Sequence, residues 1–392
     1  MRRITIVAAV AAVLTGVFAA PAYAAAENKV WVDGTQLRYD YFTGAPPTHA
    51  VIRNSGETFT VDDAWGIVAG PGCWYSALPD GSVVSCTGIT GYRIETGKED
   101  DYVDVLLSGT HTNDRGVILV GAGNDTVWGG NGGEKILGQD GDDFLVGWGS
   151  GGTGFNLISG GPGADRIIGG ATGNDIVYYD ASPVGVTVDL DGAAGDDGAP
   201  GEGDTIGADI DGVVGSPFDD TLTGNALHNI LIGCAGSDRL DGLDGDDDLT
   251  GDGPDCSLSG GPIPVAADVL IGGPGVDSVS YGDRTANVIV DIGGTVGNDG
   301  QSGEGDTVSA DIEDVFGGAG DDLIVGSAAA NHLSGGMGND SLFGLDGDDT
   351  LDGYTGDDSL YGGNGVDTLN GGDGSDLCNV GPGGLTRTAC ER

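Results

Sequence analysis

Residues 335–379 read GGMGNDSLF, GLDGDDTLD, GYTGDDSLY, GGNGVDTLN and GGDGSDLCN, five nonapeptides without a gap. The first and fourth positions are always Gly, and the sixth is Asp340, Asp349, Asp358, Asp367 and Asp376. The eighth is Leu342, Leu351, Leu360, Leu369 and then Cys378. Stepping back at the same spacing reaches Asn331 and Asp322. The frame recurs upstream at Asp220, Asn229, Asp238 and Asp247, at Asp125, Glu134 and Asp143, and at Asn156 and Asp165. Asp175 follows with a one-residue shift, and Asp268 and Asp277 form a short pair. An aliphatic residue stands two places after each of these positions, from Val127 to Val279. A longer repeat overlies the short one: residues 175–251 align with 277–353 at an offset of 102, and GEGDT at Gly201–Thr205 recurs at Gly303–Thr307.

The composition agrees with turns. The chain has 392 residues, of which 80 are Gly, and 62 acidic residues stand against 14 basic, for a net charge of -48. Such a field repels nucleic acid and anionic membrane surfaces and attracts cations. The acids are mostly Asp, whose short side chain stays beside its own turn.

GGxGxDxUx resembles the RTX (hemolysin-type) calcium-binding nonapeptide, a calcium-binding β-helix repeat. The likeness covers roughly residues 95–380 and is strongest over 335–379. It implies a parallel β-roll with calcium in the turns. The expected fold is therefore all-β, a right-handed parallel β-roll or β-solenoid, with a small β-rich N-terminal region capping it.

Elementary chemistry supports the same expectation. Six residues of each nonapeptide suit a turn and three a short strand. Gly at positions one, two and four tolerates positive φ, and Asp at position six adds a carboxylate beside turned-in carbonyls. Ca²⁺ takes six to eight such hard oxygens, more than one turn supplies. Two nonapeptides make a coil of 18 residues, so each turn lies about 4.8 Å from the turn 18 residues on. Shared pairs are then Asp322/Asp340, Asp340/Asp358, Asp349/Asp367 and Asp358/Asp376, with Asp125/Asp143 and Asp220/Asp238 upstream. Candidate ligands are those residues with Asp165, Asp175, Asp247 and Asp277. The carbonyls of Gly336, Gly338, Gly347, Gly356, Gly363, Gly365 and Gly374 complete the set. Glu134, Asn156, Asn229, Asn331 and Gly116 occupy the sixth position as weakened sites. One aliphatic core residue per nine is a thin core, so multiple Ca²⁺ ions are expected to drive folding.

The remaining segments read as follows. Arg2 and Arg3, an apolar run and Ala22-Tyr23-Ala24 make residues 1–24 a signal peptide cleaved near Ala24, and the protein secreted. Residues 25–110 are a β-rich region holding Trp31, Tyr39, Tyr41, Trp65, Trp74, Tyr75, Tyr92 and Tyr102. They form either a cap on the solenoid's open end or a carbohydrate- or surface-binding patch. Repeat blocks occupy 111–177, 215–279 (with an insertion at 252–266) and 317–379. Residues 178–214 and 280–316 each open on alternating apolar residues, read as a longer strand followed by a bulging loop. Six Cys after the leader favour disulfides, paired locally as Cys73–Cys86, Cys234–Cys256 and Cys378–Cys390, the last folding the tail 380–392 over the final coil.

RTX repeats often accompany a catalytic domain. No His-Glu-x-x-His and no Gly-x-Ser-x-Gly occurs, and His49, His111, His228 and His332 are scattered. Many RTX relatives are exported on an uncleaved C-terminal signal, from which this chain departs. No enzyme is expected. The leading reading is a secreted calcium-binding protein with a structural or interaction role, without membrane insertion and with an unidentified polysaccharide or cell-surface partner. The alternative is a carbohydrate-active enzyme of lyase or epimerase type, or a carbohydrate-binding adhesin, on a calcium-stabilised solenoid.

Overall fold

The computed structural model describes residues 28–40, 49–55, 58–63, 67–75, 83–106, 116–130, 133–148, 155–170, 174–253, 265–294, 297–382 and 386–390. The expected leader at 1–24, Tyr41, Trp65, Cys256 and most of the insertion at 252–266 lie outside the described residues.

Among the described residues every regular element is a β-strand, and the molecule is an all-β parallel β-roll. The reason is local. A triplet such as Thr350-Leu351-Asp352 has room for one inward side chain, and Leu351 takes it between half-buried neighbours. Glycines then turn the chain within a few residues, with φ of +106° at Gly336 and +116° at Gly338. His332 pairs with Thr350 and Thr350 with Thr368, while Ser341 pairs with Ser359 in a second sheet. Alternate nonapeptides thus build two sheets with a coil of 18 residues. Leu333, Leu351 and Leu369 stack inward from one sheet, and Ile324, Leu342, Leu360 and Cys378 from the other.

The chain forms two compact units. The first runs to Tyr178 and includes Gly192–Asp197 and Gly201–Ile210. Its N-terminal part is antiparallel: Asn28–Asp33 with Gln36–Asp40, His49–Ser55 with Thr58–Asp63, and Cys73–Tyr75 with Val83–Thr87 across the Cys73–Cys86 disulfide. Parallel pairing reaches back through Gly91–Gly97 and Tyr102–Leu106 to Gln36–Asp40 and His49–Ser55, inside the stretch expected to be cap. Gln36–Asp40 covers the outer edge of Gly91–Gly97 and His49–Ser55 that of Tyr102–Leu106. Tyr39, Phe59 and Tyr92 are buried in this end, while Trp74 and Tyr75 are exposed.

The second unit comprises Tyr179–Asp191, Gly198–Pro200 and Asp211–Arg392. The alternation expected after residues 178 and 280 holds from Val186 on, with Val186, Val188 and Leu190, and Val288, Val290 and Ile292, all buried, whereas Val184, the first residue of the expected run, is exposed. The strands are short, however: Thr187–Asp189 and Val288–Asp291. The chain beyond them also re-enters the roll instead of only bulging outward. Thr307–Val308 pairs with Val269–Ile271, and in the first unit Thr205–Ile206 pairs with Arg166–Ile168. The GEGDT motif runs into Ile206 or Val308 and so carries the same Asp-x-aliphatic signal that starts many of the other roll strands. Insertions therefore lengthen a coil without ending it.

Two of the expected disulfides are formed, Cys73–Cys86 and Cys378–Cys390. Cys234 is also disulfide-bonded.

Candidate metal centre

Each sixth-position Asp ends its turn with the carboxylate tucked beneath it. Asp340, Asp349, Asp358, Asp367 and Asp376 are buried. Oδ1 accepts the backbone N–H of the Asp one coil earlier: Asp322 to Asp340 at 2.8 Å, Asp340 to Asp358 at 2.8 Å, Asp349 to Asp367 at 3.1 Å and Asp358 to Asp376 at 2.9 Å. Asp125 to Asp143 and Asp220 to Asp238 repeat it, both at 2.8 Å. All six expected pairs are in register, joined through a backbone N–H.

The second oxygen is different. Oδ2 is buried without a hydrogen-bond partner in Asp125, Asp143, Asp165, Asp238, Asp247, Asp277, Asp340, Asp349, Asp358, Asp367 and Asp376. In all of these but Asp125, whose turn has Val120 there, it points at the position-one glycine of its own turn. A Cβ on Gly344 would lie 2.2 Å from Asp349 Oδ2 and 2.7 Å from Gly362 O; on Gly353, 2.3 Å from Asp358 Oδ2 and 2.5 Å from Gly371 O. This corrects one expectation. Positive φ occurs at positions two and four but not at Gly335, Gly344, Gly353, Gly362 or Gly371. Position one needs glycine for space; position two accepts Leu345 and Tyr354 at φ +77° and +72°. The position-four carbonyls face the next coil, since a Cβ on Gly356 would meet Gly338 O at 1.5 Å and one on Gly365 would meet Gly347 O at 1.6 Å.

Carboxylate and carbonyl oxygens thus converge where no side chain fits, and among the described residues no donor reaches these Oδ2 atoms. Burial, the largest cause, pushes the carboxyls up: Asp143 to about 9, Asp125 and Asp165 to about 8, Asp238, Asp247 and Asp340 to about 7, Asp349 to about 6. Neighbouring carboxylates add to the rise, and the ladder N–H groups oppose it. Buried oxygens that lack a donor fit a hard divalent cation. The Oδ2 atoms just named, with turn carbonyls, are the residues that would hold it. Bound Ca²⁺ supplies the positive charge that lets the buried carboxylates ionise.

Three candidates differ, because protein donors already reach them. Asp175 accepts from Asn156 Nδ2 at 2.6 Å, Asp220 from Ser216 and Val186, and Asp322 from Gly318 N and Val288 N, both at 2.8 Å. Weakened rungs are satisfied in their own ways. Asn229 and Asn331 each accept a bond from their own turn at 2.7 Å and donate through Nδ2 to a carbonyl. Glu134 accepts from the Tyr92 hydroxyl at 2.9 Å. A Cβ on Gly116 would strike that Tyr92 ring, so Gly116 makes room for the longer reach.

Sequence reasoning missed Asp101, Asp204, Asp306 and Glu313 as rungs, and placed Asp268 in the frame without its partner. Asp101, Asp204, Asp268 and Asp306 occupy ladder positions, and Glu313 Oε2 accepts from Asp277 N. Their offsets of 24, 39, 30, 38 and 36 residues hide them from a search at 18. The Asp-x-aliphatic signal would have found Asp101, Asp204 and Asp306. A second ladder at position five was also unforeseen: Asn339 N donates to Asp321 Oδ1, and Asp357 N to Asn339 Oδ1. It runs opposite to the first, each rung donating to the coil before it.

Residues 112–145, 150–181, 223–253, 309–342, 316–351 and 343–378 match the family described as RTX calcium-binding nonapeptide repeat (4 copies). No curated protein matches the chain. Most of the bare carboxylate oxygens and their position-one glycines fall on those matched stretches, Asp277 with Gly272 lying outside them. The chain carries RTX calcium-binding nonapeptide repeats and is a calcium-binding β-roll.

Proposed function

We propose that the protein is exported and works outside the cell, where several Ca²⁺ ions bind between successive turns and fold the roll into a structural or interaction module. The observation that carries this is the row of buried, donorless Oδ2 atoms along the coils. Without cations those carboxylates must stay protonated or repel one another; with cations the same row becomes a stack of shared sites. Extracellular modules commonly have calcium affinities of 10⁻⁴–10⁻³ M, which would leave the chain unfolded where calcium is scarce. The leader-like N-terminus and the disulfides favour export to an oxidising compartment. The reading is of a binding protein and not an enzyme, because the periodic carboxylates are committed to the ladders.

The test is a calcium titration of the disulfide-intact chain, followed by far-UV circular dichroism and calorimetry with a magnesium control. A cooperative gain of β signal near millimolar Ca²⁺, with uptake of several ions and no response to Mg²⁺, is expected. A chain fully folded in EDTA that takes up no Ca²⁺ would overturn the reading.

One observation favours a carbohydrate-binding role alongside it. On the first unit Trp128 lies 5.7 Å from Phe144 and 5.5 Å from Trp148, with the Arg166 guanidinium over Phe144, and Trp148 is exposed. Retention on insoluble neutral polysaccharide, lost in Trp148→Ala, would establish it; no retention would remove it.

A further inference from the structure

In the second unit one pair of stacked turns is built unlike the others. The turn entering Val269–Ile271 contains Asp252 and Asp268, and the turn one coil on, entering Thr307–Val308, contains Glu304 and Asp306. Arg284 reaches between them. Its Nη2 donates to Asp252 Oδ2 at 2.8 Å and to Glu304 Oε1. The arginine side chain is 4% exposed and both acids are at 0%. Beside it the Tyr281 hydroxyl donates to Asp306 Oδ2 at 2.9 Å, the oxygen left bare in Asp340 and Asp358. Tyr281 occupies position one, two residues after the core Val279, where most turns have glycine and where Tyr179 stands at the offset of 102. Among the described residues Arg284 is the one buried basic side chain. Its counterpart at the offset of 102 is Ser182, which donates to Val184 O in its own turn.

We propose that Arg284 is a resident cation: at this step of the roll its guanidinium joins two stacked turns in place of a calcium ion, so that they stay paired when calcium is absent. The proposal rests on the calcium reading of the other turns. Two buried carboxylates need a counter-charge. A guanidinium is always charged and offers several donors in a fixed plane, so it meets two acceptors on different turns without depending on ion concentration. Asp268 keeps a bare Oδ2, and it is the Asp252–Glu304 pair that the guanidinium serves. The consequence is a pre-formed segment of parallel strands, Val269–Ile271 with Thr307–Val308, within a unit whose other turns wait for calcium.

Amide hydrogen exchange on the full chain tests this, first on the wild type in EDTA and in Ca²⁺. Protection at Val269–Ile271 and Thr307–Val308 is expected to survive EDTA, while Ser341–Thr368 exchanges freely. Arg284→Met should raise exchange at those amides in EDTA on the order of a hundredfold or more. Arg284→Lys, which keeps the charge, should retain most of the protection. Free exchange at both segments of the wild type in EDTA would overturn the proposal and leave the calcium reading standing. Protection of Ser341–Thr368 as well in EDTA would instead overturn the calcium reading, and the variants then decide. A local loss in Arg284→Met alone supports the resident cation, and no local change overturns it.

Discussion

Asp358 shows how one side chain carries two tasks. Its Oδ2 is bare, and its backbone N–H donates to Asp376 while its Oδ1 accepts from Asp340. Asp358→Asn removes the charge, and the natural Asn229 and Asn331 show that an amide can satisfy itself at this position. The variant should be more stable than wild type in EDTA by about 1 kcal/mol, since a bare buried oxygen is replaced by a donor. Its calcium midpoint should shift to higher concentration severalfold, because two shared sites lose a charged ligand. Chemical denaturation with and without Ca²⁺ checks both signs. The glycines divide by the same logic. Gly353→Ala should cost about 1–3 kcal/mol through overpacking, as its Cβ would fall on Asp358 Oδ2 and Gly371 O. Tyr354→Gly should leave the calcium midpoint almost unchanged, since position two only requires a left-handed φ. Comparing the two midpoints separates space from backbone conformation.

A single coil is an element with a charge problem, and pH exposes it. In the ion-free fold, carboxyls whose ordinary value is 3.8 are held at about 6 to 9 by burial. A raised folded value means the folded chain binds more protons than the unfolded one. The stabilisation is complete below about 3.8 and is lost as pH rises through the folded values. In EDTA, acidification from about pH 8 to about pH 5 should therefore increase β signal, whereas with Ca²⁺ the fold should strengthen toward higher pH as protons stop competing. Circular dichroism across pH in both buffers tests the crossing; an EDTA sample least structured at acid pH would contradict it. The final coil is a second element with its own restraint. Thr386–Thr388 pairs with Thr368–Asp373, and Cys390 holds the tail to Cys378 in the core slot of the last nonapeptide. Reducing that disulfide in Ca²⁺ should release Thr386–Thr388, with a loss of about 3 kcal/mol confined to the tail, while Ser341–Asp346 keeps its amide protection.

Over the whole molecule the same forces accumulate. A net charge of -48 opposes compaction, and one core residue per nonapeptide gives limited apolar burial. Calcium is expected to supply cohesion that a thick core supplies elsewhere. Added sodium chloride in EDTA should accordingly recover a fraction of the β signal by screening. It should fall short of millimolar Ca²⁺, because screening reaches exposed position-five acids such as Asp321, Asp348 and Asp357 better than buried position-six ones. Full recovery by salt alone would mean that specific coordination contributes little.

The period of nine determined the coil, the inward aliphatic at position eight and the six in-register acid pairs, because a strict repeat forces each turn onto the turn 18 residues on. Sequence also identified the weakened rungs Asn229 and Asn331. Tertiary structure alone decided how irregular stretches rejoin the roll. Asp204, Asp306 and Glu313 become rungs only after loops of unequal length fold back, and loop length is a weak constraint on closure. It also decided that position-one glycines are required for space, since that clash is with a carboxylate and a carbonyl brought together by stacking. Arg284 is the clearest case: no local pattern joins it to Asp252 and Glu304, at 32 and 20 residues' distance. Only the stacking of two turns encloses those charges together, and enclosure is what makes their pairing matter.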